Sequence, residues 1–211
     1  MCTAVLLITA VNKDEGRAVR AMTKWMVAAA AIAFLAGCST GRKPKLAEAP
    51  PPAPTVSMAP YLWTLGQAPQ AHRDMVAEFG KGGLRPGEYL WASAIPSDGD
   101  TRVVIDRLTQ MAYVYKGDQL IGVSTVSTAK TGHITPLGEW SILEKRPFYR
   151  SKKYDNAPMP WMERIDEYGI ALHGGGTPGY PESHGCIHLP MKFAEKLYQL
   201  TKIGTKVVIE G

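Results

Sequence analysis

The chain has 211 residues, of which 45% are apolar and 20% charged, and a formal net charge of +5. That is enough apolar material for one folded domain plus processed or linking segments. Residues before position 38 carry four basic and two acidic groups, which leaves +3 on residues 38–211. With no Lys/Arg stripe interleaved with aromatics, this balance excludes a nucleic-acid footprint and supports only a weak bias toward anionic polymers.

Residues 23–38 read TKWMVAAAAIAFLAGC, with Lys24 as a short basic lead, an apolar run from Trp25 to Ala36 and small residues ahead of Cys38. The run is short for a bilayer span and resembles a bacterial lipoprotein signal with the lipobox Leu35-Ala36-Gly37-Cys38. That resemblance implies cleavage before Cys38, lipidation of Cys38 and a body held at the periplasmic face of the envelope. Ser39 resembles the residue found in lipoproteins sent on to the outer membrane. Residues 1–21 fit poorly ahead of such a signal, because KDEGR puts two acids where a basic lead belongs, so translation is expected to begin at Met22. A plain anchor or an uncleaved signal is the alternative. Residues 1–37 are therefore read as leader and signal.

Residues 38–60 follow as a tether, with six prolines between Gly41 and Pro60 and little bulky apolar content, a composition suited to extended chain. With Cys2 removed and Cys38 lipidated, the mature domain keeps one thiol, Cys186. In an oxidising compartment it has no intramolecular disulfide partner, and an exposed reactive thiol needs a use.

Residues 61–101 form a pre-domain segment of open role. Pro69 to Phe79 reads as a short helix with Ala71, Met75, Val76 and Phe79 on one side, ended by the glycines at 80, 82 and 83; His72 on it is read as a surface residue. From Arg102 the runs RVVIDRL, MAYVYK and QLIGVSTVST, divided at Thr109-Gln110 and Gly117-Asp118, predict an antiparallel meander. Gly138 opens a further strand through EWSILEKR. His133, in the loop before it, is read as a solvated residue, with a place in the lining of a cleft as the lesser alternative. Residues 147–163, with three prolines and four aromatics, predict an irregular loop, either a substrate wall or a packed surface.

EYGIALHG is a strand delivering His173 at its end. Pro190 suits the first turn of a helix through about Tyr198, with Phe193, Ala194, Leu197 and Leu200 as its buried face. KVVIE closes as a strand. The sum is a mainly β, closed or sandwiched fold with one helix after the cysteine, a catalytic domain over residues 102–211.

Between Tyr168 and Leu189 stand three of the five histidines, His173, His184 and His188, with Cys186. A thiol of ordinary pKa near 8.5 is only a few per cent thiolate at neutral pH, so Cys186 needs a histidine as base or ion partner. In an extended segment His184, Cys186 and His188 share a face, while His173 approaches from another strand. The N–H groups of Gly185 and Cys186 are candidate oxyanion donors. The bland readings are a zinc site, against which the H-x-C-x-H spacing speaks, and a buried, inert cysteine.

The stretches His173-Gly174 and Ser183-His184-Gly185-Cys186-Ile187, with STAKTGHITPLGEW and NAPMPWM upstream, resemble the YkuD-type L,D-transpeptidases of bacterial envelopes, and the resemblance covers about residues 102–210. It implies a YkuD-like mixed β-barrel or sandwich and no metal or organic cofactor. It implies that Cys186 is acylated by the third residue of a peptidoglycan stem tetrapeptide as the terminal D-Ala leaves, with His173 moving the protons. Ser183, His184 and Gly185 would shape the site, and Met159, Trp161 and Gly174 would line the approach of the stem.

The acceptor would be an amine on another stem, giving a 3-3 crosslink in cell wall and cell shape biogenesis, or on an outer-membrane protein, and the enzyme would work as a monomer. His188 departs from the Arg usual in the family. His is mostly neutral above pH about 6.5 and lacks the fork of Arg, so weaker carboxylate binding and a mildly acidic optimum are expected. The alternatives are an L,D-carboxypeptidase or crosslink hydrolase of the same fold, and a non-catalytic peptidoglycan-binding lipoprotein.

Overall fold

The computed structural model describes residues 60–211. The signal, Met22, Cys38 and the tether through residue 59 lie outside the described residues. Among the described residues no helix is long and apolar enough to cross a membrane.

The first sheet is built from β1 (Tyr89–Trp91), β2 (Thr101–Asp106), β3 (Met111–Lys116), β4 (Gln119–Thr125), β5 (Gly138–Ser141) and β10 (Lys206–Glu210). The second contains β6 (Glu144–Arg146), β7 (Met162–Arg164), β8 (Ala171–Gly174) and β9 (Ile187–Leu189). Helix α1 (Gln67–Phe79) precedes the strands and α2 (Met191–Leu200) follows β9. The spatial orders are β1-β4-β3-β2-β10-β5 and β6-β7-β8-β9. The fold is mainly β, with a single helix after the cysteine, as expected.

The meander of β2, β3 and β4 forms antiparallel pairs as its alternation predicts. Period two sorts most of its side chains between two cores, and the register shift at Val114/Tyr115 leaves Ile121 and Val123, two apart on β4, on opposite faces. Val103, Ile105, Ala112, Val114 and Ile121 face a core shared with Ile165, Leu172, Ile187 and Leu189 of the second sheet and with Phe193, Ala194 and Leu197 of α2. Val104, Tyr113, Tyr115 and Val123 turn the other way, onto Ala68, Ala71 and Met75 of α1. Gly122 of β4 is bare because a Cβ there would come within 2.7 Å of the Trp91 ring, which meets Phe193 edge-on.

Residues 61–101 belong to the same packed body. Strand β1 pairs with β4, and α1 seals the outer face of the first sheet. The N-terminus of α1 carries no side-chain cap of its own. Glu210 of β10 serves it instead, accepting from the backbone N–H groups of Leu65, Gln67 and Ala68 at 2.7 to 3.0 Å and from Thr64 Oγ1. Three backbone N–H groups and one hydroxyl thus meet one buried carboxylate.

Two features differ from the sequence expectation. The strand expected from Gly138 through Arg146 is two strands, because the chain crosses between sheets at Ile142-Leu143, with Ile142 buried in the shared core. Strand β5 pairs with β10 and β6 with β7, the corner typical of sandwiches. The last strand enters the interior of the first sheet, parallel to β2 and antiparallel to β5. Register of this long-range kind leaves no local mark in the sequence.

Candidate active site

Strands β8 and β9 are parallel neighbours, with Leu172 beside Ile187 and His173 beside His188. Alternation sends Leu172, Ile187 and Leu189 into the shared core. It sends Ala171, His173, Cys186 and His188 to the opposite face, where the 147–163 loop covers them. Cys186 packs there with Ala171, Met159, Met162 and Tyr149. A cleft of about 930 Å³ opens on this face, and Cys186, His173, His188, His184, Met159 and Gly174 are among its lining residues. The loop thus forms a wall of the cleft.

His173 is buried, and its Nδ1 lies 3.0 Å from the Gly174 carbonyl oxygen. A carbonyl only accepts, so Nδ1 carries the proton and Nε2 keeps its lone pair. Burial, reinforced by His188, pulls the imidazole pKa down to about 4. The Cys186 thiol donates toward the Gly169 carbonyl at 3.7 Å, and burial above all raises its pKa. Thiol and imidazole are both neutral at pH 7, so the site is a neutral pair and not a preformed thiolate–imidazolium.

The loop before β9 is held from inside. Ser183 is buried; its Oγ donates to the Cys186 carbonyl at 2.6 Å and accepts the Gly185 N–H at 3.0 Å. Thr135 donates its hydroxyl to the Gly185 carbonyl at 2.8 Å while accepting the Ala129 N–H. Gly185 adopts φ +135°, and a Cβ would lie 2.5 Å from Ile170 Cδ1 and 3.0 Å from the Ile134 carbonyl oxygen. Glycine is therefore required here by both conformation and space. Ser127 pairs its backbone with His188 in both directions, and its hydroxyl bridges the Tyr180 carbonyl and the Glu182 N–H.

Several expectations need correction. The Gly185 N–H is taken by Ser183, so it is no oxyanion donor in this geometry; the Cys186 N–H has no partner among the described residues and is the remaining candidate. His184 lines the same cleft as Cys186 and His188, although the chain bends at His184 and Gly185. It is exposed at the rim, stacked on Tyr154 at 4.5 Å between ring centroids and edge-on to His133 at 4.7 Å. His133 lines the cleft, the lesser of the two readings its loop position allowed.

Trp161 is not among the lining residues. Its indole packs between Phe148 and Tyr198 and against the shared core, and its backbone has φ +57°. Met159 and Gly174 do line the cleft; Gly174 is bare because Met191 Sδ would lie 2.8 Å from a Cβ.

His188 sits with its ring centroid 4.8 Å from that of His173 and its Nδ1 3.7 Å from Glu182 Oε1. Nδ1 is buried without a hydrogen-bond partner among the described residues. Burial lowers its pKa against the pull of Glu182. Sequence reasoning missed Thr135, Glu182, Tyr154 and Lys130, whose Nζ donates to His184 Nε2 at 3.1 Å. The Thr-Pro turn at 135 was the one visible signal, since the others lie in irregular loops. Among the described residues no three His, Cys, Asp or Glu side chains converge as metal ligands.

The family model for the YkuD L,D-transpeptidase catalytic domain matches residues 100–209. A curated relative is YqjB of Bacillus subtilis (strain 168), whose name places it provisionally among L,D-transpeptidases. It is 30% identical over 129 residues, covering 54% of this chain and 73% of the relative. Among solved structures, an L,D-transpeptidase from Mycobacterium smegmatis superposes with a TM-score of 0.50 at 19% identity, covering 53% of this chain and 59% of that one. The chain thus spans under two thirds of that protein. An L,D-transpeptidase from Stackebrandtia nassauensis gives a TM-score of 0.50 at 22% identity, over 70% of this chain and 68% of that one. At these identities the structures speak for the fold alone. The matched sequence, which runs through both sheets and encloses the His173–Cys186 cleft, shows that this chain belongs to the YkuD family of L,D-transpeptidase catalytic domains.

Proposed function

We propose that the chain is a cysteine-dependent L,D-transpeptidase acting on peptidoglycan stem peptides, with Cys186 as nucleophile and His173 as the group that moves protons. The carrying observation is that parallel strands bring both residues to one cleft, with His173 tautomer-locked by Gly174 so that Nε2 is the available base.

The neutral pair dictates the order of events. As Sγ attacks the carbonyl carbon of the donor's third residue, the thiol proton passes to His173 Nε2, and the Cys186 N–H receives the developing oxyanion. The C–N bond to the terminal D-Ala breaks, and that amine leaves with the proton from His173. An acceptor amine then attacks the thioester, gives its proton to His173, and the thiol is restored by that proton. Each half-reaction starts and ends with neutral groups, which suits a buried site where a standing ion pair would be costly.

The product is an acyl-amine link, a 3-3 crosslink or an attachment to an outer-membrane protein. The Cys38 lipid would hold the domain on the periplasmic side, with Ser39 directing it to the outer rather than the inner membrane. Muropeptide analysis after expression of wild type and Cys186→Ala tests the reading. New 3-3 crosslinks with wild type alone support it. Loss of crosslinks or of terminal D-Ala with wild type alone makes water the acceptor, and identical profiles overturn cysteine catalysis.

A further inference from the structure

The cationic groups around the cleft divide into paired and unpaired ones. Arg164 gives Nε to Glu144 at 2.9 Å and Nη1 to the Asp166 carbonyl at 2.6 Å. His188 has its own carboxylate in Glu182 at 3.7 Å, so a proton on His188 leaves that pair without net positive charge. Each thus already has a carboxylate of the protein beside it.

Lys152 and Lys153 differ. Both line the cleft, both are exposed, and neither has a carboxylate within ion-pair distance among the described residues. Lys153 Nζ lies 5.5 Å from the Tyr154 ring centroid, and Tyr154 stacks on His184. Lys130 Nζ reaches His184 Nε2, likewise with no carboxylate partner among the described residues. Because an ammonium only donates, His184 Nε2 accepts and the ring is neutral; Lys130 and His133 help to lower its pKa after desolvation. Asp155 is the acid on this side that acts on His184. Glu167 and Tyr168, on the β7–β8 turn, supply another wall.

Lys152 and Lys153 thus line the cleft, Lys153 beside Tyr154, and Lys130 meets the same Tyr154–His184 stack through His184, two residues before Cys186. The lysines outnumber Glu167, the acid of the lining with no ion-pair partner among the described residues, and a concave surface with an excess of one charge concentrates ligands of the other.

We propose that Lys152 and Lys153 of the cleft lining, with Lys130 beside His184, form a subsite for a carboxylate carried by the acyl donor away from its scissile bond. The inference rests on the transpeptidase reading and names which form of the donor the site selects: the free acid over the amide. Lysine, a mobile point charge, suits a flexible peptide carboxylate better than a fixed bidentate seat. The selection is expected to weaken with salt, since these charges are solvent-exposed.

The test compares a stem tetrapeptide bearing its free carboxylates with the same peptide amidated at its non-terminal carboxylates. Turnover is measured with wild type and with the Lys152→Ala/Lys153→Ala and Lys130→Gln variants. Binding of both peptides to Cys186→Ala protein is measured by calorimetry. The expected result is a KM about three- to tenfold lower for the acid form with wild type, unequal binding of the two peptides in the same sense, and loss of the difference in the lysine variants at unchanged kcat. Both lysines of the pair are exposed, so the double variant folds independently of the outcome, and Lys152→Glu/Lys153→Glu should invert the preference. Equal or tighter use of the amide by wild type, or a preference that survives in the variants, overturns the subsite while leaving the transpeptidase reading intact. Selective binding without acyl transfer by wild type overturns the reading and leaves the subsite standing.

Discussion

Because its Nδ1–H is given to the Gly174 carbonyl, His173 offers Nε2 alone, and because it is buried, that nitrogen stays unprotonated down to about pH 4. The acid limb of kcat/KM is therefore expected near pH 4 to 5 and not near the ordinary histidine value of about 6.5. A limb centred at 6 or above would assign the limiting base to another group. The raised thiol predicts slow alkylation of Cys186 by iodoacetamide at pH 7 with a midpoint above the ordinary thiol value. His173→Ala should barely move that midpoint, since no imidazolium is there to stabilise a thiolate. A large upward move on removing His173 would mean an ion pair after all. At Gly185, Ala would force φ +135° on a side chain and collide with Ile170 and the Ile134 carbonyl. We expect Gly185→Ala to lower kcat/KM by about 100-fold or more, because a displacement of about 1 Å at a nucleophile is enough for that, with near-native circular dichroism.

The elements show where sequence reading succeeds and where it stops. The strands β2, β3 and β4 and the helix α2 were legible because their period is local: MAYVYK alternates, and Phe193, Ala194 and Leu197 recur at helical spacing. Cys186 and His173 were legible as members of one cleft because the stretches that carry them, Ser183 to Ile187 and His173-Gly174, are short and local. What depends on distant partners was not, as in the division of 138–146 between two sheets, the seat of β10, the stacking of Tyr154 on His184 and the removal of Trp161 from the cleft. Glu210 is the clearest case, an acid in a terminal strand that caps a helix more than 140 residues away. Its side chain is wholly buried and accepts four hydrogen bonds. Glu210→Ala would leave those donors without partners, at a cost of about 2–4 kcal/mol. Urea unfolding should show that loss with the Cys186 alkylation rate unchanged in the folded fraction, since α1 lies on the face of the first sheet away from the cleft. Stability within 0.5 kcal/mol of wild type, roughly the scatter of an ordinary surface substitution, would mean that water replaces the carboxylate as the cap.

For the whole molecule, the two sheets close one core between them and leave the chemistry on the outer face of the second sheet, so the buried titrating groups couple stability to pH. His173 and His188 have pKa values lowered by burial, so the unfolded chain binds their protons first and stability falls as pH drops below about 6.5. Glu163 of β7 acts in the opposite sense. It is buried beside Thr201, with Lys145 Nζ at 3.5 Å, and burial outweighs both partners, raising its pKa to about 7. The folded state therefore holds that proton longer than the unfolded chain. Its stabilising contribution is complete below about pH 4.5 and is lost as pH rises through 7. Over pH 4.5 to 6.5 the carboxyl and the histidines oppose each other, which flattens the wild-type dependence. Glu163→Gln removes one side of this balance. Relative to wild type, the variant should gain up to about 3 kcal/mol between pH 4.5 and 7, because a gap of one pH unit between the folded and unfolded pKa corresponds to about 1.4 kcal/mol. Its own stability should fall more steeply on acidification. Urea midpoints for both proteins at pH 4.5, 5.5 and 7 measure the difference directly, and a difference that stays constant would show Lys145 keeping Glu163 ionised throughout.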